Sequence, residues 1–501
     1  MKNFILGLLI FVAGNIYSQQ SITGVVLNEE TQQPVIGAVV QVLKPEKNTI
    51  TDFSGKFLLE NFSPGTYELI ISSLGFGTQT LKVEVPTAES VLITLSPTAI
   101  EMEEVIISTP FHQLQSENVM KVERITMENL SRGGGIRLTD GISQIAGVET
   151  ITTGSSIGKP VIRGLSSNRV LVYAQGVRLE NQQFGDEHGL GLSSSGVESV
   201  EVIKGPASLL YGSDALGGVL YLNPEKFSPA GTTMVDGETA YYSNTEGLEA
   251  NAGVKTSGEK MKFLFRGNFG SHADYKTGAG ERVTNTRYTE YDLKTGIGFR
   301  NNSYKGDLRY NINSTTSGIP EEISLQNTSR TKLKPYQQVA NHILSLDNSF
   351  YFDDSSLDLK LGYLFNNRKE FEEEHRHHEE ETEEEHEEHA EEITEDAPAL
   401  EMHLETLNYD IKYHLPAPGK FETIVGLQGM FQSNTNFAEE ILIPDATTTD
   451  VGILATTHYH LQKIDFQAGL RYDFRKISAD AYEIHETKTE VPSLTRNFNS
   501  Y

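Results

Sequence analysis

Between residues 370 and 396 the chain reads EFEEEHRHHEEETEEEHEEHAEEITED, which packs sixteen carboxylates, five histidines and one arginine into 27 residues. The histidines are His375, His377, His378, His386 and His389. Imidazole nitrogen and carboxylate oxygen together suit Zn²⁺, Ni²⁺, Cu²⁺ or Co²⁺, and raw affinity follows the Irving–Williams order, so such a loop does not by itself select zinc. Affinity is expected to fall below about pH 6.5 as the imidazoles protonate. The competing reading is a solvated acidic surface, but charge alone would not need imidazole. Mutual repulsion predicts a disordered segment when empty, and His386 and His389, three apart, share a face of any helix induced there. No His-Glu-x-x-His arrangement exists, so a zinc-protease reading has no support. The chain has no cysteine, so any metal must be held by His, Asp or Glu.

A second candidate is Phe184-Gly185-Asp186-Glu187-His188-Gly189. Glycines on both sides make it a flexible loop, and Asp186 and His188, with Glu187 between them, can reach one cation at about 2.0 to 2.2 Å. The alternative is an ordinary polar loop. His458 and His460 alternate onto one face of a strand, where they serve equally well as metal ligands or as plain polar lining.

These residues must be displayed by something exported. Met1-Lys2-Asn3, an apolar run from Phe4 to Ile16 and a small residue before a polar stretch read as a signal peptide over residues 1–18. No other apolar run approaches eighteen residues, so a membrane could be crossed only by strands. The net charge is −28, of which the 370–396 segment holds about 15. That balance disfavours nucleic-acid binding, and no nucleophile–base pair or phosphate-binding glycine loop suggests an enzyme.

Residues 20–97 alternate short β-type runs with turns such as Asp52-Phe53-Ser54-Gly55, the pattern of a small β-sandwich. Residues 229–501 show period-two patterning. Leu407, Tyr409, Ile411, Tyr413 and Leu415 alternate with Asn408, Asp410, Lys412 and His414; Ile464 to Arg475 and Leu357 to Asn366 repeat the theme. Apolar outside and charged inside marks a transmembrane β-strand lining a polar lumen. Short links near 257–260, 300–304, 353–356, 416–420 and 462–463 alternate with long ones at 271–289, 314–340, 368–403 and 434–450. Outer-membrane barrels keep short turns in the periplasm and long loops outside, which puts the His/Glu loop at the cell exterior. Roughly eleven strands are expected, half a barrel, and exposed strand edges in lipid are costly, so the sequence reads as C-terminally truncated.

Particular strings carry a resemblance. GVVLNEETQQPVIGAVVQV followed by TDFSGKFLLENFSPGTYELIISSLGF resembles the carboxypeptidase regulatory-like domain, a transthyretin-like sandwich. Thr139-Asp140-Gly141-Ile142, Pro160-Val161-Ile162-Arg163-Gly164, Val197 to Gly212 and Gly217-Gly218-Val219 resemble, in order, the plug domain of TonB-dependent outer-membrane receptors; Gln175 departs from the acidic residue usual there. The resemblance implies a mainly β protein in which an α+β plug at 111–228 sits inside a transmembrane antiparallel barrel. It implies that Glu103, Glu104, Val105, Ile106, Ile107 and Ser108, in the linker 98–110, are the segment grasped by TonB through strand addition. It also implies that the loop holding Asp186 and His188 points into the extracellular vestibule. The His-rich loop is similar to that of zinc-uptake members. The expectation is therefore a receptor in the outer membrane of a Gram-negative bacterium, with a periplasmic N-terminal domain. It would import a divalent metal, zinc first, as substrate with no prosthetic group, its partners being TonB, lipid and a surface lipoprotein. A siderophore, haem or other chelate importer is the alternative within the class, and a sensor signalling through the N-terminal domain the alternative outside it.

Overall fold

The computed structural model describes residues 20–501 except 30, 74–75, 88–89, 97–105, 110–120, 133–136, 181–183, 186, 205–207, 321, 373–396, 417–420, 462–464 and 485–487. The expected signal peptide, Glu103 to Val105, Asp186 and all five loop histidines lie outside the described residues, as does the expected disorder of the loop.

The N-terminal domain is a sandwich of two sheets. One pairs Lys56–Phe62, Gln20–Asn28 and Val91–Leu95; the other pairs Glu46–Ile50, Val39–Leu43, Gly65–Ser72 and Gln79–Val85. Alternate residues such as Ile22, Val26, Val40, Val42, Leu69 and Ile71 point between the sheets and are buried together. Six of these seven strands are visible as β-type runs. The seventh, Glu-Lys-Asn-Thr-Ile at Glu46–Ile50, is a polar edge strand that pairs only with Val39–Leu43, so no apolar alternation betrays it.

The central domain is a five-stranded mixed sheet in the order Val177–Leu179, Val170–Ala174, Gly218–Pro224, Val197–Ile203, Val122–Thr126. The short helices Met127–Ser131, Leu138–Ile142 and Ser208–Tyr211 and the hairpin Val148–Thr153 with Ile157–Ile162 surround it. Gly218 has φ +141°, and a Cβ there would stand 2.5 Å from the Ile203 carbonyl oxygen, so this close approach admits glycine alone.

Residues 232–500 contribute twelve antiparallel strands that neighbour one another in sequence order, from Thr232–Tyr242 to Leu494–Ser500. Their inward residues touch the central domain along most of the sheet, from the Arg266–Glu225 pair to the Arg471 contact with the Leu210 carbonyl. Ile343 and Leu364 enter its core. A sheet most of whose strands meet one domain must curve around it. The opposite face exposes Phe269, Leu344, Leu407, Phe431, Ile453 and Leu470, the outward apolar band expected of a wall facing lipid. No described helix is long and apolar enough to cross a membrane.

The sheet has one strand more than the eleven expected. Leu494–Ser500 is reached through a small hairpin, Tyr482–Ile484 with Thr489–Val491, which reads as loop in sequence. The strands also run further into the long connections, as with Tyr304–Gly318 and Tyr336–Tyr351, because polar residues continue the ladder beyond the apolar band. The 243–246 turn, between the first two strands, is short although it lies on the long-loop side.

The sandwich rests on the short-turn end of this sheet. Glu46 pairs with Lys305 at 2.7 Å, and Lys44 Nζ lies 3.1 Å from His414 Nδ1, whose Nε2 is 2.8 Å from Asp358. The Lys305 ammonium is the main influence holding the Glu46 carboxyl down at about 2, against an ordinary 4.5. A depressed carboxylate stabilises the docked state above its ordinary value and loses that contribution as pH falls through the depressed one. A dye pair spanning sandwich and rim should therefore keep constant energy transfer from about pH 7 to 5 and lose it between about 4.5 and 2. Constant transfer down to pH 2 would show that this pair does not hold the domain.

Candidate substrate site and coupling segment

The loop carrying His188 is fixed at both ends. The Leu190 amide donates to the Gly158 carbonyl at 2.8 Å, and Gly189 passes so close that a Cβ would stand 2.8 Å from the Gly158 nitrogen. Buried Lys159 donates to the Gly185 carbonyl at 2.5 Å. From the wall, Gln337 donates to the Glu187 carbonyl at 2.8 Å. His188 is 1% exposed. Its Nδ1 accepts from the Gly185 amide at 2.9 Å, which leaves Nε2 as the nitrogen free to act. Nε2 lies 2.9 Å from Glu370 Oε1 and 3.3 Å from Glu187 Oε1.

Glu370 is the penultimate residue of the strand Ser356–Phe371 and the first residue of the His/Glu-rich segment. The central-domain histidine and the root of the acidic loop are therefore in contact, through residues 182 positions apart. Arg368, two residues earlier on the same inward face and 1% exposed, reaches Glu370 at 3.3 Å and also pairs with Gln337. It offsets part of the negative charge at the site. Nearby, a cavity of about 430 Å³ separates the central domain from the wall, with Arg368, Gln337, Glu249 and Glu290 among its lining. Among the described residues no group of three or more His, Asp or Glu is arranged to hold a metal ion; the described donors here are His188, Glu187 and Glu370.

His458 does not join this site. It faces the interior and is buried, as its alternation implies, but it lies two residues from the short-turn end of the strand Ala446–His460. Glu370 lies at the long-loop end, and a rise of about 3.3 Å per residue over strands of this length separates the two by roughly 40 Å. His458, offered as a metal ligand or as plain polar lining, therefore does not share a site with His188. The side chain of His460 is outside the described residues.

At the opposite pole, the segment expected to be grasped by TonB is docked where it is described. Ile106 is 2% exposed and packs with Val122, Leu171, Ile203, Ala215 and Val219. The Ile107 amide donates to Glu201 at 3.1 Å and the Ser108 amide at 2.8 Å. Fully buried Glu201 also accepts from Asn223 at 2.7 Å. Tyr211 donates to the Ser108 carbonyl. The segment is buried because one carboxylate satisfies two consecutive amides that would otherwise want a strand partner. Just beyond, Asp214 binds both Arg178 and, from the wall, Arg475. Sequence reading missed Glu370, Arg368, Gln337 and Glu201. Period-two alternation along residues 356–371 would have placed Arg368 and Glu370 on the inward face, whereas nothing local marks Gln337 or Glu201.

Residues 115–219 match the family model described as the TonB-dependent receptor plug domain. The central domain is a TonB-dependent receptor plug. Residues 22–107 match the carboxypeptidase regulatory-like domain. TonB-dependent receptor P39 of Formosa agariphila is 26% identical over 269 residues, covering 52% of this chain and 25% of that protein. TonB-dependent receptor SusC of Bacteroides thetaiotaomicron is 29% identical over 228 residues, covering 43% and 22%. The chain thus spans about a quarter of the length of these curated relatives. In fold it is similar to the solved copper transporter OprC, with a TM-score of 0.61 at 16% identity over 75% of this chain and 60% of that one. Plug inside a barrel wall is the shared architecture.

Proposed function

We propose that this receptor sits in the outer membrane with its long loops outside and imports a divalent transition-metal ion, zinc first, with energy supplied by TonB at residues 103–108. The observation that supports this reading is the contact between buried His188 Nε2 and Glu370, the root of the His/Glu-rich loop. The loop raises the local cation concentration at the mouth; His188 and Glu187 then receive the ion from Glu370. Zinc accepts this nitrogen and oxygen donor set at about 2.0 to 2.2 Å, and capture displaces the Nε2 proton. Asp186 is a further proposed ligand. The sandwich and short turns then face the periplasm.

A second reading, a metal carried as an anionic chelate, draws on buried Arg368 beside Glu370 and on the 430 Å³ polar cavity. Deleting residues 373–396 separates the two. Under the free-ion reading, zinc-limited growth of cells relying on this receptor is expected to fail, while growth on chelated metal is unaffected. Unchanged growth on limiting free zinc would remove the free-ion reading.

A further inference from the structure

We propose that the N-terminal sandwich is a charge-latched cap on the short-turn rim of the barrel wall, and that this latch limits how far the coupling segment can be drawn from the plug. The second half rests on the transport reading above; the first does not.

The latch is a single turn carrying both signs. Lys44 and Glu46 flank Pro45: Glu46 meets the opposite charge of Lys305 at 2.7 Å, and Lys44 donates to His414 Nδ1 at 3.1 Å, whose Nε2 is held by Asp358 at 2.8 Å. Arg300 adds a hydrogen bond to the Glu46 carbonyl at 3.3 Å. Arg300 and His414 end their strands at the short turns, and Lys305 and Asp358 lie within the first three residues of theirs. The turn therefore spans several strands with a fixed order of charges. Sliding or flipping the sandwich would set Lys44 against Lys305 or Glu46 against Asp358, so the arrangement specifies one orientation. Glu46, Lys305, His414 and Asp358 are each no more than about a third exposed, while Lys44 is exposed, so the Glu46–Lys305 pair is screened less by salt than an open surface pair.

The consequence is mechanical. Leu95 ends the last sandwich strand and Ile106 opens the docked segment, with ten residues, 96–105, between them. A fully extended chain spans at most about 3.3 to 3.6 Å per residue, so the eleven steps from Leu95 to Ile106 reach no further than about 40 Å. While the sandwich is held on the rim, a pull on the segment can move it only within that tether. Further extraction of the plug requires Glu46 and Lys44 to let go.

Because the chain has no cysteine, two introduced thiols report alone within it. Spin labels at Phe53→Cys on the sandwich, where the side chain is 89% exposed, and Phe352→Cys in a short turn should give one narrow distance in the complete receptor. Lys305→Glu should broaden it, and the exchanged pair Lys305→Glu with Glu46→Lys should restore it. A broad distribution in the otherwise unaltered receptor, or no restoration by the exchange, would overturn the latch. Joining Glu46→Cys to Lys305→Cys with a thiol-cleavable bismaleimide should lower TonB-driven zinc uptake at least tenfold, with recovery on reduction. Undiminished uptake by the joined protein would overturn the tether limit. If the unaltered receptor takes up no zinc, the transport reading fails while the distance measurement still decides the latch.

Discussion

Replacing Glu201 by alanine should strip Ile107 and Ser108, in the segment proposed to be grasped by TonB, of their protection. The Glu201 carboxylate is fully buried and accepts from the Ile107 and Ser108 amides and from Asn223. Hydrogen bonds to a buried charge contribute about 1.5 to 3 kcal/mol each, and the two amides are left with no acceptor once it is gone. A net loss of about 3 kcal/mol corresponds to roughly a hundredfold rise in the opening equilibrium of this segment. Hydrogen exchange at Ile107 and Ser108 measures it directly. Glu201→Gln, which keeps one carbonyl oxygen, should lose far less. Exchange rates unchanged in the alanine variant would mean that Ile106 packing alone holds the segment.

The second large effect is at the proposed metal site. His188→Ala removes the one nitrogen donor among the described residues there, while the bonds from Lys159 to the Gly185 carbonyl, from Leu190 to Gly158 and from Gln337 to Glu187 continue to hold the loop. Even the loss of a residue behind a metal ligand lowers affinity about 10- to 100-fold, so removal of the ligand should exceed that range. Arg368→Gln should act in the opposite direction. A guanidinium 3.3 Å from Glu370 repels an incoming cation, and at an effective dielectric near 20 a unit charge some 6 Å from a divalent ion costs roughly 5 to 6 kcal/mol before screening. Free zinc should therefore bind more tightly to Arg368→Gln, by about tenfold or more once screening is allowed for. If the substrate is an anionic chelate, the same substitution weakens binding instead, so the sign of the change distinguishes the two readings.

Much of this architecture is legible in the chain. Strict alternation, as in Leu407 to Leu415, fixes which residues face inward, and Asp410 and Lys412 indeed form a pair on the inner face. Connection lengths assign the ends, since the long-loop side is set by parity along the strand order. Edge strands are less visible: Glu46–Ile50 is polar because it has solvent on one side, and that polarity hides the turn that docks the sandwich. The site is half legible. His188 stands out between glycines, but Glu370 looks like one more acid in a run, and only its position on the inward face of a strand separates it from the rest. Glu201 lies in an ordinary apolar strand, and its role depends on a segment 93 residues earlier in the chain. His458 shows the limit of alternation, which gives the face a residue occupies but not its height along the barrel.

The most direct test is titration of Zn²⁺ by calorimetry into the complete purified receptor and into its His188→Ala variant at pH 7.5. One tight site in the unaltered receptor, absent in the variant, with the weaker sites of the acidic loop retained in both, is the result expected. Superimposable isotherms would contradict capture at His188 and leave the loop as a charged surface.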